Sequence, residues 1–142
     1  MSRLTGKFYR IIDANVNRAK EGLRVCEDIM RFACSDAKLS NRLKGIRHRI
    51  DLLVNSLLND SCDRLRHRDI ARDFGRKDNS FELRRTGLKD IFFANIQRAK
   101  ESVRVLEELS KLENERVALS FKRLRYELYD LEKEVIIIRK KL

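Results

Sequence analysis

The feature that most constrains the fold of this chain is an internal repeat. Residues 14–32 return as residues 94–112 at a spacing of 80 residues, and 9 of the 19 aligned pairs are identical. Unrelated helices would share about one or two such residues at ordinary amino-acid frequencies. A weaker echo joins residues 43–48 to residues 121–126. We infer a duplicated unit, in which each copy buries its apolar face against the other.

Each copy is predicted to be a pair of helices. The chain has no proline and only 5 glycines among 142 residues, so little interrupts helical periodicity. We predict helices near residues 5–34, 37–59, 80–112 and 115–140, with Asp36 and Asn114 as caps of the second and fourth. Short connections make the two helices of each pair antiparallel neighbours.

The predicted fold is therefore all-α, an antiparallel four-helix bundle built from a duplicated helix pair with pseudo-two-fold symmetry. We expect residues 1–142 to form a single helical domain. Its parts are repeat one at about 5–59, a basic loop at about 60–79 and repeat two at about 80–140.

Apolar residues recur at heptad spacing along the first and third predicted helices and define two seams. These seams are predicted to form the core. Their members are Ile12, Val16, Ala19, Leu23, Cys26, Met30 and Ala33 in the first helix and Phe92, Ile96, Ala99, Val103 and Leu106 in the third. The 3 cysteines lack a zinc or disulfide spacing, so we assign Cys26 to the core.

A second stripe beside each seam is interrupted at matching places by an asparagine, an arginine and a small residue. The interruptions are Asn15, Arg18 and Gly22 in the first helix and Asn95, Arg98 and Ser102 in the third. An arginine in a buried stripe costs several kcal/mol of desolvation unless it is paired. One explanation is an ion-pair ladder that locks two helices together, with Glu21 between Arg18 and Arg24 and Glu101 between Arg98 and Arg104. The other is a ligand site, where the small residues leave room, the arginines hold phosphate and carboxylates hold Mg²⁺.

The second helix and the predicted loop supply further charged residues. Arg47 could reach a phosphate, and His48 could orient one, although a histidine inside a helix is more often structural. The loop carries Arg68, Arg72 and Asp73 and is long for a connection between helices, which favours a binding loop or a lid. A solvated basic linker is the alternative.

The net charge of +11 predicts an anionic partner, because such a surface concentrates phosphates. A phosphorylated metabolite, a nucleic acid and a lipid surface all satisfy this criterion. However, no apolar run approaches the roughly 20 residues that span a bilayer. The start of the chain also lacks the apolar stretch of a secretory signal. We therefore expect a cytoplasmic protein that does not bind membranes.

The polar stripe belongs to a longer run that resembles a known family. The run is Asp13-x-Asn15-x-x-Arg18-Ala19-x-Glu21-Gly22-Leu23-Arg24-Val25-x-Glu27-Asp28-x-x-Arg31-Phe32, followed by Arg47-His48, Arg68-Asp69 and Asp73-x-Gly75. It is similar to the helical domain found N-terminal to some bacterial thiamin-phosphate synthases, which is understood as a hydroxymethylpyrimidine-phosphate kinase. The resemblance covers nearly the whole chain and does not include the synthase barrel. We therefore expect a stand-alone protein.

The resemblance implies transfer of the γ-phosphate of ATP to hydroxymethylpyrimidine phosphate, with Mg²⁺ as cofactor. The residues supply the parts, and we predict catalytic roles for Arg18, Glu21 and Arg24. We predict phosphate-binding roles for Asn15, Arg47, His48, Arg68, Arg72, Asn95, Arg98 and Arg104, and metal-binding roles for Glu21, Glu27 and Asp73. The residues alone leave open which repeat binds ATP.

Two other functions are compatible with the sequence. One is a basic helical module that binds RNA or DNA. The inward direction expected for the repeated polar pattern, and the lack of aromatic residues interleaved with the basic loop, argue against it. The other is a non-catalytic domain that docks a separate thiamin-phosphate synthase. Apolar residues near 135–138 could serve such docking or a homodimer.

Overall fold

The computed structural model describes residues 5–58, 61–138 and 142, and within these residues the chain is helical and has no β-strand. The α-helices are α1 (Gly6–Asp28), α2 (Ala37–Leu57), α3 (Ser61–Arg66), α4 (Ser80–Leu83), α5 (Leu88–Ser110) and α6 (Glu115–Ile138). A π-helical turn at Ile29–Ala33 prolongs α1, and a 3₁₀ turn at Phe74–Arg76 lies between α3 and α4. The prediction of an all-α fold is confirmed.

The predicted boundaries agree closely with the structure for α1, α2 and α6 but not for α5. The helix expected at 80–112 is divided, because α4 ends at Leu83 and α5 begins only at Leu88. Asp90 accepts hydrogen bonds from the backbone N–H and the hydroxyl of Thr86, which closes the first turn of α5 at this point. The connection expected at 60–79 therefore contains α3 and extends to residue 87. Predicted positions 59, 60, 139 and 140 lie outside the described residues.

Both predicted N-terminal caps are confirmed. The Asp36 carboxylate accepts a hydrogen bond from the Leu39 N–H at 2.9 Å, at the start of α2. The Asn114 side-chain oxygen accepts from the N–H groups of Arg116 and Val117 at 3.0 and 3.2 Å, before α6. The first N–H groups of a helix have no hydrogen-bond partner within that helix, and these caps satisfy some of them. Asp36 and Asn114 therefore help to determine where α2 and α6 begin.

The core lies between the four long helices. Helix α1 packs against α2 and α5, and α6 packs against α5 and α2. The predicted seam residues are buried except Ala33, which is exposed at the last position of the π-helical turn. Burial also raises the pKa of Cys26 above its usual range, as expected for an unreactive core thiol. The more detailed prediction of a four-helix bundle with pseudo-two-fold symmetry stays a prediction.

Gly22 allows α1 and α5 to approach closely. A Cβ atom at this position would lie 2.7 Å from the backbone oxygen of Asn95 on α5. At the matching position of repeat two, Ser102 is buried, and its hydroxyl donates to the Arg98 carbonyl at 2.8 Å. Small residues were expected at these positions to leave room for a ligand. At Gly22, the small residue instead allows close contact between the two helices.

Two buried ion pairs at matching positions link the helices within each pair. The Arg47 Nε atom lies 3.1 Å from the Glu27 carboxylate and joins α2 to α1. The Arg125 Nε atom lies 2.8 Å from the Glu107 carboxylate and joins α6 to α5. Both glutamates are only 3% exposed, so each depends on its arginine for the solvation that it loses on folding.

Replacing Gly22 with alanine should destabilise the protein. The new methyl group must push the Asn95 carbonyl away, so we expect Gly22→Ala to lower the free energy of unfolding by about 1–3 kcal/mol in urea titrations. The control is Gly45→Ala in α2, where a Cβ would meet no atom within 4 Å. That substitution should stabilise the protein by about 1 kcal/mol. Equal effects of the two substitutions would contradict a close contact at Gly22.

Removing one member of a buried ion pair should also destabilise the fold. We expect Glu107→Ala to cost about 3–5 kcal/mol in the free energy of unfolding, because the mostly buried Arg125 loses its counter-charge. Glu108→Ala is the matched control, since Glu108 is exposed and pairs with the exposed Lys111 and Arg104. The unfolding midpoint of the control should stay close to that of the wild type. A small effect at Glu107 would show that the pair is not important for stability.

Candidate functional site

Two adjoining hollows lie along α1 and α5. The first hollow, of about 490 Å³, is lined by residues of α1 together with Arg68, Asp69, Ile70 and Asp73 of the connection. The second hollow, of about 440 Å³, is lined by residues of α5, including Arg98, Glu101 and Ser102, and by Glu82 of α4. Asn15 and Arg18 line both hollows. Each hollow has the size of a small-molecule site.

Arg18 and Arg98 occupy the same position of the two repeats, and both are exposed. Within the described part of the chain, no carboxylate forms an ion pair with either guanidinium. The expectation that these arginines are buried is therefore wrong, because the polar stripe lies at the margin of the α1–α5 contact and faces the hollows. A guanidinium without a counter-charge presents a planar set of donors that suits a phosphate group.

The alternative of an ion-pair ladder along α1 is wrong. Among the described residues, no ion pair joins Glu21 to Arg18 or to Arg24. Instead, the Arg24 Nε atom lies 3.5 Å from the carboxylate of Asp28, one turn further along the helix. The equivalent Arg104 pairs with Glu107 and Glu108. Arg24 and Arg104 are thus paired with carboxylates, whereas Arg18 and Arg98 remain available to a ligand.

The two repeated asparagines are held in the same way. The Asn15 side-chain nitrogen donates to the Ile11 carbonyl at 2.9 Å, and the Asn95 nitrogen donates to the Ile91 carbonyl at 2.8 Å. Since each amide group has two N–H donors, one donor remains for a ligand. Asn15 lines both hollows, whereas Asn95 lies at the close contact with Gly22.

Asp13 holds the connection against α1. Its carboxylate accepts two hydrogen bonds from Arg68, at 2.6 and 2.7 Å, and one from Arg64 at 3.0 Å. Asp13 is only 4% exposed, and its hydrogen bond raises the pKa of the Arg68 guanidinium. Arg68, predicted to bind phosphate, is therefore mainly a tether. Asp13 was not among the predicted site residues, although the run that carries the resemblance begins with it. Its counterpart in repeat two is Phe93, so the repeat gives no second carboxylate at this position.

A stacked pair of rings and one backbone contact strengthen this attachment. The rings of Tyr9 and His67 are parallel, with centroids 5.4 Å apart. The Arg10 guanidinium also donates to the carbonyl of Asp69 at 3.4 Å. These contacts place the residues after α3, including Ile70, beside the first hollow. The long connection is thus part of the site wall and is not only a solvated linker.

The other predicted site residues lie in three places. Asp73 is exposed, caps the 3₁₀ turn by accepting from the Gly75 N–H at 3.0 Å, and lines the first hollow. Arg72 is exposed and pairs with Asp69 at 3.4 Å. Arg47 is held by Glu27, about 14 Å along α1 from Arg18, and His48 is exposed on α2. The structure therefore brings Asp73 close to Arg18 but not Arg47, His48 or Glu27.

The first hollow has carboxylates that fit a magnesium ion shared with bound phosphates. Among the described residues, no group of three or more His, Cys, Asp or Glu side chains could hold a metal ion by itself. Mg²⁺ in phosphoryl-transfer enzymes commonly uses only one or two carboxylates together with substrate phosphates and water. Asp73 lies on the hollow wall and could serve this purpose, whereas the neighbouring Asp69 already pairs with Arg72. The assignment of Glu21, Glu27 and Asp73 as ligands stays a prediction.

Among the described helices, none combines the length and the apolar character that a bilayer-spanning segment needs.

Comparisons with known proteins agree with the resemblance stated above. Residues 10–134 match the model of the ThiD2 family. The curated relatives include thiamine-phosphate synthases of Nostoc punctiforme, 36% identical over 129 residues, and of Synechocystis sp., 38% identical over 125 residues. These alignments cover 90% and 87% of the chain but only 35% and 34% of the relatives.

The relationship extends beyond these two organisms. The thiamine-phosphate synthase of Rhodopirellula baltica is 35% identical over 127 residues, which are 89% of the chain and 33% of that protein. The chain thus spans about a third of the length of the curated relatives that it matches. No solved structure matches it. Because the family model covers most of the chain, including both repeats and the connection between them, the chain belongs to the ThiD2 family.

Proposed function

We propose that the protein acts in thiamin biosynthesis and transfers the γ-phosphoryl group of ATP to hydroxymethylpyrimidine phosphate. The observation that carries this proposal is the position of Arg18, which lines two adjoining hollows and has no carboxylate partner in the described residues. Two substrates that meet at one unpaired guanidinium would suit phosphoryl transfer. Membership of the ThiD2 family supports the choice of pathway.

The proposed reaction makes few chemical demands on the protein. An oxygen of the acceptor phosphate forms a new bond to the γ-phosphorus of ATP. The bond from that phosphorus to the β,γ-bridging oxygen breaks, and this oxygen leaves with the electron pair as part of ADP. The attacking oxygen is already ionised, so no general base is needed. The protein contributes positioning and neutralisation of charge.

Residues that line the hollows can take the main roles in the proposed reaction. Arg18 holds the phosphoryl group between the two substrates, and Arg98 holds phosphates in the second hollow. The predicted catalytic roles of Glu21 and Arg24 stay predictions, because these residues follow Arg18 on α1 but line neither hollow, and Arg24 already pairs with Asp28. Mg²⁺, when bound, would offset the negative charge of the phosphate oxygens, with Asp73 as its ligand in the first hollow. Water would complete its coordination.

Duplication explains why the site has two similar halves. The matching ion pairs Glu27–Arg47 and Glu107–Arg125 support the proposal that two helix pairs pack as an antiparallel bundle around a pseudo-two-fold axis. Under this proposal the two hollows descend from one ancestral anion site, and each has since acquired its own substrate.

A second candidate is a non-catalytic domain that docks a thiamin-phosphate synthase. It is favoured by the names of the relatives and by the third of their length that the chain covers. This candidate predicts a complex without turnover. A nucleic-acid module, suggested by the net charge of +11, predicts salt-dependent binding to RNA or DNA and no turnover.

The kinase proposal predicts two products that depend on each other. Purified protein with hydroxymethylpyrimidine phosphate and Mg-ATP should form ADP and the pyrimidine diphosphate in equal amounts, measured by chromatography. Reactions without acceptor or without protein should form neither. Folded protein that yields no diphosphate with any of several divalent metals would move the assignment to the docking or nucleic-acid candidates.

Arg18→Ala should reduce kcat/KM by at least about a hundredfold, because it removes the cation shared by both hollows. The circular dichroism spectrum should not change, since Arg18 is exposed and forms no ion pair with any residue that the structure describes. Arg123→Ala on the exposed face of α6 is the control and should retain wild-type turnover. Loss of the helical spectrum in Arg18→Ala would instead indicate a structural role.

Asp13→Asn should release the connection from α1. The variant loses the charge that holds Arg64 and Arg68, so we expect faster tryptic cleavage after these arginines and a kcat/KM about a hundredfold lower. Asp63→Asn, which affects only the ion pair with the exposed Arg66, is the matched control. Wild-type turnover in Asp13→Asn despite faster cleavage would show that the attached connection is dispensable for catalysis.

A further inference from the structure

A third hollow continues the second one toward α6. It has a volume of about 360 Å³ and is lined by Gln97, Lys100, Glu101 and Arg104 of α5 and by Tyr129 of α6. Gln97 and Glu101 also line the second hollow, so the two hollows adjoin each other along α5. Along α5 they extend over two helical turns, about 10 Å from residue 97 to residue 104. This shape suits an elongated ligand better than a compact one.

The third hollow ends at exposed aromatic surface. Tyr129 is 42% exposed and Tyr126 is 54% exposed, and their ring centroids lie 5.7 Å apart in an edge-to-face arrangement. The Arg125 guanidinium donates to the Tyr129 hydroxyl at 3.1 Å, which fixes the ring on α6. Lys100 lies 5.2 Å from the centroid of the same ring. An aromatic ring beside fixed cations is a common platform for a nucleobase with attached phosphates.

The first repeat has no such platform. At the spacing of 78 residues, Asp51 stands where repeat two has Tyr129, and His48 stands where it has Tyr126. Asp51 forms an ion pair with Lys20 at 2.8 Å, and the equivalent Lys100 pairs with Glu132 at 2.7 Å. The lysine therefore has a counter-charge in both repeats, and only repeat two adds the aromatic rings. The two halves of the duplicated protein therefore differ in the feature that would recognise a base.

The first hollow has a different character. Its wall includes Ile11 and Ile70, which are 43% and 65% exposed, and Phe74 follows its lining residue Asp73 with 94% of its surface exposed. Such exposed apolar groups beside Arg18 suit a compact ring that carries a single phosphate. Ile70 and Phe74 belong to the connection between the two repeats, and neither residue lines the second or the third hollow. The apolar wall is thus specific to the first hollow.

We infer that the two repeats have divided the substrates between them. The second and third hollows bind the nucleoside triphosphate, with its base beside Tyr129 and its phosphates running past Arg98 to Arg18. The first hollow binds the phosphorylated heteroaromatic acceptor, whose ring contacts Ile70 and Phe74. This assignment rests on the proposed kinase function and extends it, since it states which half of the protein recognises each substrate.

The test is a crossed pair of substitutions. Tyr129→Leu should raise the KM for ATP about tenfold and leave the KM for hydroxymethylpyrimidine phosphate within twofold of the wild-type value, because a stacking surface for the base is lost. Tyr129→Phe keeps the ring and should restore the KM for ATP. Phe74→Ser should show the opposite pattern, with a higher KM only for the acceptor. Circular dichroism checks the folding of each variant.

Calorimetry with ADP alone separates this inference from the kinase proposal. If the wild type forms no pyrimidine diphosphate, the kinase proposal fails, but weaker ADP binding in Tyr129→Leu than in Phe74→Ser would still support the nucleotide site. Unchanged ADP affinity in Tyr129→Leu would overturn that site. In active protein, variants that raise both KM values equally, or that show the reverse pattern, would overturn the division between the repeats.

Discussion

The close contact between α1 and α5 at Gly22 is the constraint on which the rest of the structure depends. A Cβ atom at this position would lie 2.7 Å from the Asn95 carbonyl, so only glycine permits the observed separation of the helices. This contact brings the repeated stripes to one surface. Arg18 then borders hollows formed with both halves of the protein. A single packing requirement therefore creates the place where two ligands can meet.

Charge pairing determines which cations remain available at that surface. The chain has 33 Lys and Arg residues against 22 Asp and Glu residues, so some cations have no counter-charge. The buried Glu27 and Glu107 pair with Arg47 and Arg125, and the buried Asp13 pairs with both Arg64 and Arg68. These carboxylates are placed where helices or the connection must be held together. The unpaired Arg18 and Arg98 are left beside the hollows, where a phosphate can supply the missing charge.

The sequence predicted what depends on local periodicity and failed where long-range geometry decides. Heptad spacing identified buried residues such as Ile12 and Phe92, and Asp36 and Asn114 cap the helices as expected. The predicted Arg18–Glu21–Arg24 ladder is wrong because helical spacing shows which side chains can reach each other, but not which of several carboxylates an arginine will pair with. The tether at Asp13 joins residues more than 50 positions apart, and periodicity cannot reveal such a contact. Direct prediction of the site would therefore require knowledge of how the connection folds back on α1.

The most direct test of the central claim is to follow the transferred phosphoryl group itself. ATP labelled with ¹⁸O at the non-bridging oxygens of its γ-phosphate, supplied with Mg²⁺ and hydroxymethylpyrimidine phosphate, can be analysed by mass spectrometry of all products. The account predicts that the label appears in the terminal phosphate of the pyrimidine diphosphate and that unlabelled ADP forms in equal amount. Label found only in inorganic phosphate, or retained in ATP by folded protein, would contradict phosphoryl transfer between ligands that meet at Arg18.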